Sequence, residues 1–184
     1  FNRKMDVYGY ELLFRGKDNS KEYDGLSNLL ATASVINGLF ESGLDSLVED
    51  KKAFVNFDGD FLNSDLPELI EPEKLVIEVL ETVEINEILI ERLKYFKSKG
   101  YKIALDDFIE SYSTYPLVNY ADIIKFDIMA TPLNTIYSDV KKALTSGKIL
   151  LAEKIETEKE FQSAKKMGFH LFQGFFFSRP NIVG

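Results

Sequence analysis

The sequence predicts an α/β fold, a (β/α) barrel of the TIM type, on three observations. Short apolar runs alternate with stretches patterned as amphipathic helix. The runs are continuous rather than alternating, as strands covered on both faces are. Seven of them, at residues 7–11, 54–56, 75–78, 103–107, 123–127, 149–153 and 171–173, stop on a carboxylate, an amide or a pair of such groups. Parallel strands with helical crossovers send their carboxyl ends to one edge of the sheet, so side chains scattered in sequence converge in space.

The crossovers follow in chain order. Residues 25–42 place Leu26, Leu29, Leu30, Ala33, Ile36 and Phe40 at helical spacing. Residues 86–99 repeat the pattern through Leu89, Ile90, Leu93 and Phe96, and Gly100 supplies a left-handed stop. Residues 132–145 carry Leu133, Ile136, Val140 and Leu144 ahead of Gly147, and residues 157–167 carry Phe161 and Ala164 ahead of Gly168. Residues 59–74, with Pro67 and Pro72, are the least regular and are expected to be loop with one helical turn.

The 184 residues, 45% of them apolar, suffice for one core and predict a single domain. A complete (β/α)8 barrel takes about 250 residues and seldom fewer than about 200, so a short barrel or a piece of one is expected. Residues 1–6 read as a polar turn entering a strand, which predicts a strand missing before Phe1, and the abrupt stop at Gly184 predicts a fragment of a longer protein. The absence of cysteine excludes disulfides, thiolate metal sites and a Cys nucleophile. A net charge of −8 argues against a nucleic-acid polymer as partner, but not against a small anion held through cations. No run approaches the ~20 apolar residues of a membrane span and no signal peptide opens the chain, so a cytoplasmic location is the expectation.

Glu11, Glu78, Asp106, Asp107 and Glu153, with the amide of Asn56, form the all-oxygen donor set that hard Mg²⁺ or Mn²⁺ prefers. Adjacent Asp106 and Asp107 could each face a different ion, and two ions can activate a water and stabilise the leaving oxygen of a phosphodiester. Lys125 lies inside an apolar run, where an amine is costly unless it reaches an acid. Placed inward, it could hold or deprotonate that water or neutralise transition-state charge. Any one of these acids alone would read as a helix N-cap; six oxygen-bearing groups at the ends of five runs argue for a shared site. Arg15 could fork onto a phosphate from the loop after Glu11. His170, with no Ser, Asp or second His at a suggestive spacing, reads as structural.

The hexapeptide Tyr10-Glu11-Leu12-Leu13-Phe14-Arg15 resembles the signature of the EAL domain family, bacterial phosphodiesterases of the second messenger cyclic di-GMP. The resemblance continues through Val55-Asn56-Phe57, Glu78-Val79-Leu80-Glu81, Asp106-Asp107-Phe108, Lys125-Phe126-Asp127, Ala152-Glu153-Lys154-Ile155-Glu156, Phe172-Gln173-Gly174-Phe175 and Ser178-Arg179-Pro180, in the family's order. It implies a TIM-type barrel whose first strand, antiparallel to the rest, is the one missing before Phe1. It also implies that Glu11, Asn56, Glu78 and Asp106 hold one Mg²⁺ or Mn²⁺, that Asp107 and Glu153 serve the second metal or its water, and that Lys125 acts on the water. Arg15, Gln173, Leu12 and Pro180 fall at substrate-binding positions, and Glu81 braces the loop after Asp107. The implied ligand is cyclic di-GMP, linearised to pGpG, with Ca²⁺ permitting binding but inhibiting turnover; a homodimer is compatible with this.

The chain departs from the family's pattern at four places. Leu12 stands for Ala, Leu80 for Thr, Lys154 for Gly, and Ile109-Glu110-Ser111 for the Gly-Thr-Gly of the loop after the Asp pair. Loss of both glycines removes backbone freedom from that loop. The wording Gly-Tyr-Glu-Leu-Leu-Phe-Arg is most similar to divergent EAL domains followed by an HDOD domain, many of them regarded as degenerate and regulatory. Three readings result: a metal-dependent phosphodiesterase, a catalytically weak cyclic di-GMP receptor, and a protein-interaction scaffold using Phe175-Phe176-Phe177.

Overall fold

The computed structural model describes residues 1–13 and 50–180, which form two compact units. The expected helix at 25–42 and Arg15 lie outside the described residues.

One unit, residues 9–102, holds three parallel strands in chain order: β1 (Gly9–Leu12), β2 (Lys52–Phe57) and β3 (Leu75–Val79). In register, Glu11 lies opposite Phe54 and Asn56 opposite Glu78. Between β2 and β3 the chain forms a one-turn helix α1 (Gly59–Leu62) and a 3-10 turn (Leu66–Leu69), slightly more order than the expected loop. Helix α2 (Glu87–Ser98) begins where the Asn86 side chain accepts a hydrogen bond from Leu89 N–H, the usual remedy for an orphan donor at a helix start. Its buried Leu89, Leu93 and Phe96 are the apolar stripe read from the sequence. Arg92 fastens the opposite edge by donating to the carbonyls of Leu62 and Ser64, at 2.7 and 2.6 Å.

The other unit, residues 1–8 and, of those described, 103–180, holds β4 (Lys102–Leu105) from its second residue on, β5 (Ile123–Asp127), β6 (Ile149–Glu153) and β7 (Leu171–Phe172), again parallel where paired. β5 and β6 match the expected runs residue for residue; β4 ends at Leu105, because the chain turns at the Asp pair, where Asp107 adopts φ +40°. Helix α3 (Tyr137–Thr145) starts five residues later than Pro132 suggests. Pro132 opens a turn closed by Thr135 N–H, and the helix proper begins beyond it. Helix α4 (Glu158–Met167) has a full capping box between Thr157 and Glu160 and ends at Gly168, φ +113°. Phe1 and Asn2 run antiparallel to β7, with Phe172 N–H donating to Phe1 O at 2.8 Å.

Candidate functional site

Each unit presents its oxygen-bearing side chains at the carboxyl ends of its strands. In the β1–β3 unit, Glu11 on β1 and Asn56 on β2 are half-buried and Glu78 on β3 is fully buried. Asn56 Nδ2 makes a long 3.4 Å contact to Glu11 Oε1. That orientation leaves Asn56 Oδ1 buried, and among the described residues it accepts no hydrogen bond. A buried carbonyl oxygen without a donor costs about 1–3 kcal/mol, which a cation beside it would offset. Leu12 is half-buried on β1, and Glu81 lies on the exposed turn after β3.

In the other unit, the carboxylates of Asp106, Asp107 and Glu153 each offer an oxygen within 4.8 Å of the other two. Lys125, on the middle of β5 and fully buried, points among them: its Nζ lies 2.7 Å from Asp106 Oδ1 and 3.1 Å from Glu153 Oε1. The inward placement expected for this lysine is what the structure shows. Three carboxylates against one ammonium leave an excess of negative charge, and the all-oxygen donor set suits a hard divalent cation. The residues therefore fit such an ion.

The loop that follows is anchored at both ends. Phe108 N–H donates to Lys125 O at 2.9 Å, and its ring is buried edge-on against Tyr115 and Phe126. Tyr112 N–H donates to Asp139 at 3.0 Å. Between these anchors Ile109, Glu110 and Ser111 are exposed. After β7, Gln173 is half-buried and its backbone is bonded to Ala152 O and Ile155 N–H; Pro180 is exposed. Gly174 has φ +152°, and a Cβ there would fall 2.1 Å from Ile155 O, so only glycine fits. Of the three aromatics that follow, Phe175 is exposed, while Phe176 and Phe177 pack on Phe161.

Sequence reading missed one pairing beside the acids. Asp127 ends β5 opposite Glu153 of β6, and its Oδ2 takes a very short hydrogen bond from Lys154 Nζ. Its Oδ1 accepts from Met129 and Ala130 N–H at 2.8 and 3.0 Å, the capping role expected of a lone strand-end acid. Burial alone would push the Asp127 carboxyl up; the bonds from Lys154, Ala130 and Met129 outweigh it and hold it below its ordinary range. Lys154 is raised, first by the bond to Asp127, against partial burial, with further support from the charges of Asp127, Asp107 and Glu153. The signal was present in Lys154 standing beside Glu153, but its partner depends on strand register. Lys154 also has φ +58°, a left-handed backbone that suits the glycine of the family pattern better. His170 is structural as expected: its Nδ1 accepts from Leu150 N–H at 3.1 Å, and burial and then Arg3 lower its pKa.

Parallel strands that end on carboxylates and an amide, with a lysine buried among three of the acids, define an α/β protein equipped to hold divalent cations. The chain belongs to the EAL domain family, whose model matches residues 2–180. Among curated relatives, it is 40% identical over its whole length to YuxH of Bacillus subtilis, an uncharacterised protein of which it covers 46%. It is 36% identical, over 99% of its length, to the cyclic di-GMP phosphodiesterase CdgJ of Vibrio cholerae, of which it covers 43%. The chain thus spans less than half the length of these relatives. Among solved structures, the Bacillus subtilis YkuI protein, with an EAL domain, in complex with cyclic di-GMP and calcium, superposes with a TM-score of 0.78 at 25% identity, over all of this chain and 55% of YkuI. Among the described residues, no helix is long and apolar enough to cross a membrane.

Proposed function

We propose that this chain is a cyclic di-GMP signalling domain that hydrolyses its ligand to pGpG with Mg²⁺ or Mn²⁺. The observation that carries the reading is Lys125 buried between Asp106 and Glu153, with Asp107 alongside. The family resemblance supplies the ligand assignment: Glu11, Asn56, Glu78 and Asp106 for one ion, Asp107 and Glu153 for the second or its water. When bound, such ions polarise a phosphoryl oxygen and lower the pKa of water. In the reaction a water oxygen bonds to phosphorus, the bond from phosphorus to a 3′ oxygen breaks, and the departing oxygen gains a proton. Either Glu153 or Asp107 would accept the water's proton, and Lys125 would hold that water and offset the charge that develops. Arg15, Leu12, Gln173 and Pro180 are assigned to the ligand, and Glu81 to the loop after Asp107. The sequence wording around Glu11 further supports an adjoining HDOD domain, and a homodimer is compatible with it.

The exposed, glycine-free loop at Ile109-Glu110-Ser111 favours a second reading, a receptor that binds cyclic di-GMP without efficient turnover. Calorimetry with cyclic di-GMP in Ca²⁺ tests binding for both, and pGpG formation in Mn²⁺ separates them. Glu11→Ala is expected to lower turnover at least about 100-fold, as loss of a metal ligand does. Equal turnover after that change would refute the site.

A further inference from the structure

Lys154 carries a positive charge beside the cluster of Asp106, Asp107 and Glu153. It follows Glu153 directly, its ammonium is bonded to Asp127, and Asp127 lies opposite Glu153 in the strand register. The Lys154 side chain is 55% exposed, whereas Asp127 is almost wholly buried and is fixed by two backbone N–H groups as well. The ammonium is therefore parked on an immobile acceptor. The left-handed backbone at φ +58° carries a cost that a glycine would not.

We infer that Lys154 sets the cation affinity of the Asp106, Asp107 and Glu153 carboxylates, acting as a fixed positive charge that weakens binding of a divalent ion there. The inference rests on the metal reading above and deepens it. A unit charge opposes a divalent ion most strongly within about 8–10 Å, one screening length at physiological salt. Asp127 has two opposing effects: it partly neutralises the ammonium, and it prevents Lys154 from swinging onto Glu153 in place of the metal. Loss of Lys154 would leave Asp127 as an additional negative charge next to the trio. Both consequences of that loss favour the cation.

The test is calorimetric titration of the whole chain with Mn²⁺ alone, with no nucleotide and no turnover. Lys154→Met keeps the side-chain length without charge, Lys154→Gly also removes the left-handed penalty and so guards against misfolding, and Lys154→Arg keeps the charge. The expected result is Mn²⁺ binding about threefold to tenfold tighter for Met and Gly, and unchanged for Arg. The gain should vanish when Glu153→Gln is added, and Asp127→Asn should weaken binding. Wild-type affinity or weaker in both Met and Gly variants, while Glu153→Gln still loses a bound ion, would overturn the role of Lys154 and leave the metal site standing. No Mn²⁺ binding in any of these proteins would remove both.

Discussion

Lys125, on the middle of β5, and Lys154, directly after β6, are each bonded to strand-end carboxylates, yet they differ in their surroundings. Lys125 is fully buried and shared between Asp106 and Glu153; Lys154 is half-exposed and, among the described residues, is bonded to Asp127. A buried ammonium has no water to fall back on, so its partners are obligatory. An exposed one can exchange a carboxylate for solvent at small cost. The comparison teaches that ion pairs of similar appearance are separated by solvent access: the inner one is obligatory for the fold, and the outer one is open to exchange with water.

The largest effect should come from Lys125→Met. Removing the amine shared by Asp106 and Glu153 should cost about 3–5 kcal/mol in urea unfolding without metal, the range for a buried pair left with one partner. Saturating Mn²⁺ should recover much of that loss, because a cation can take the place of the missing charge. A variant as stable as the wild type in the absence of metal would erase the distinction between the two lysines. Lys154→Met should cost about 1 kcal/mol or less, discounted because the side chain is half in water.

The pH dependence sharpens the contrast further. Asp127 titrates below its ordinary 3.8 in the fold, so its stabilisation is present above that value and is lost as pH falls through the lower folded pKa. Lys154 titrates above its ordinary 10.5, so its share is present below that value and is lost as pH rises through the folded pKa. The pair thus stabilises across the range between, and Lys154→Met should flatten the acid limb of the stability curve below pH 3.8. His170 acts with the opposite sign to a gained partner. Its folded pKa is depressed, so the unfolded chain takes up the proton first and stability declines as pH drops below 6.5. A small loss between pH 7 and 5, abolished in His170→Asn, is the smallest effect and is measurable by urea unfolding at each pH.

The sequence made the strand ends of β5 and β6 legible because continuous burial leaves no ambiguity in where an apolar run stops, and Lys125 stood out as the one cation inside such a run. Residues 137–145 were blurred because the apolar periodicity continues back through Leu133, which lies in the turn, and Ile136, which caps the helix start. The acids Asp106, Asp107 and Glu153 were legible as a group from their shared position at strand ends. Asp127 was not assigned to Lys154, because that contact follows from the β5–β6 register and from a backbone conformation, neither of which a residue pattern encodes.

The approach of Gly174 to Ile155 has a mechanical result. With Ile155 N–H bonded to Gln173 O, Phe176 N–H bonded to Ile155 O and no room for even a methyl group between the chains, the two connecting segments are clamped. Gln173 is thereby indexed to the same short stretch of backbone that carries Glu153. The backbones that carry the two side chains therefore cannot drift apart without breaking these contacts.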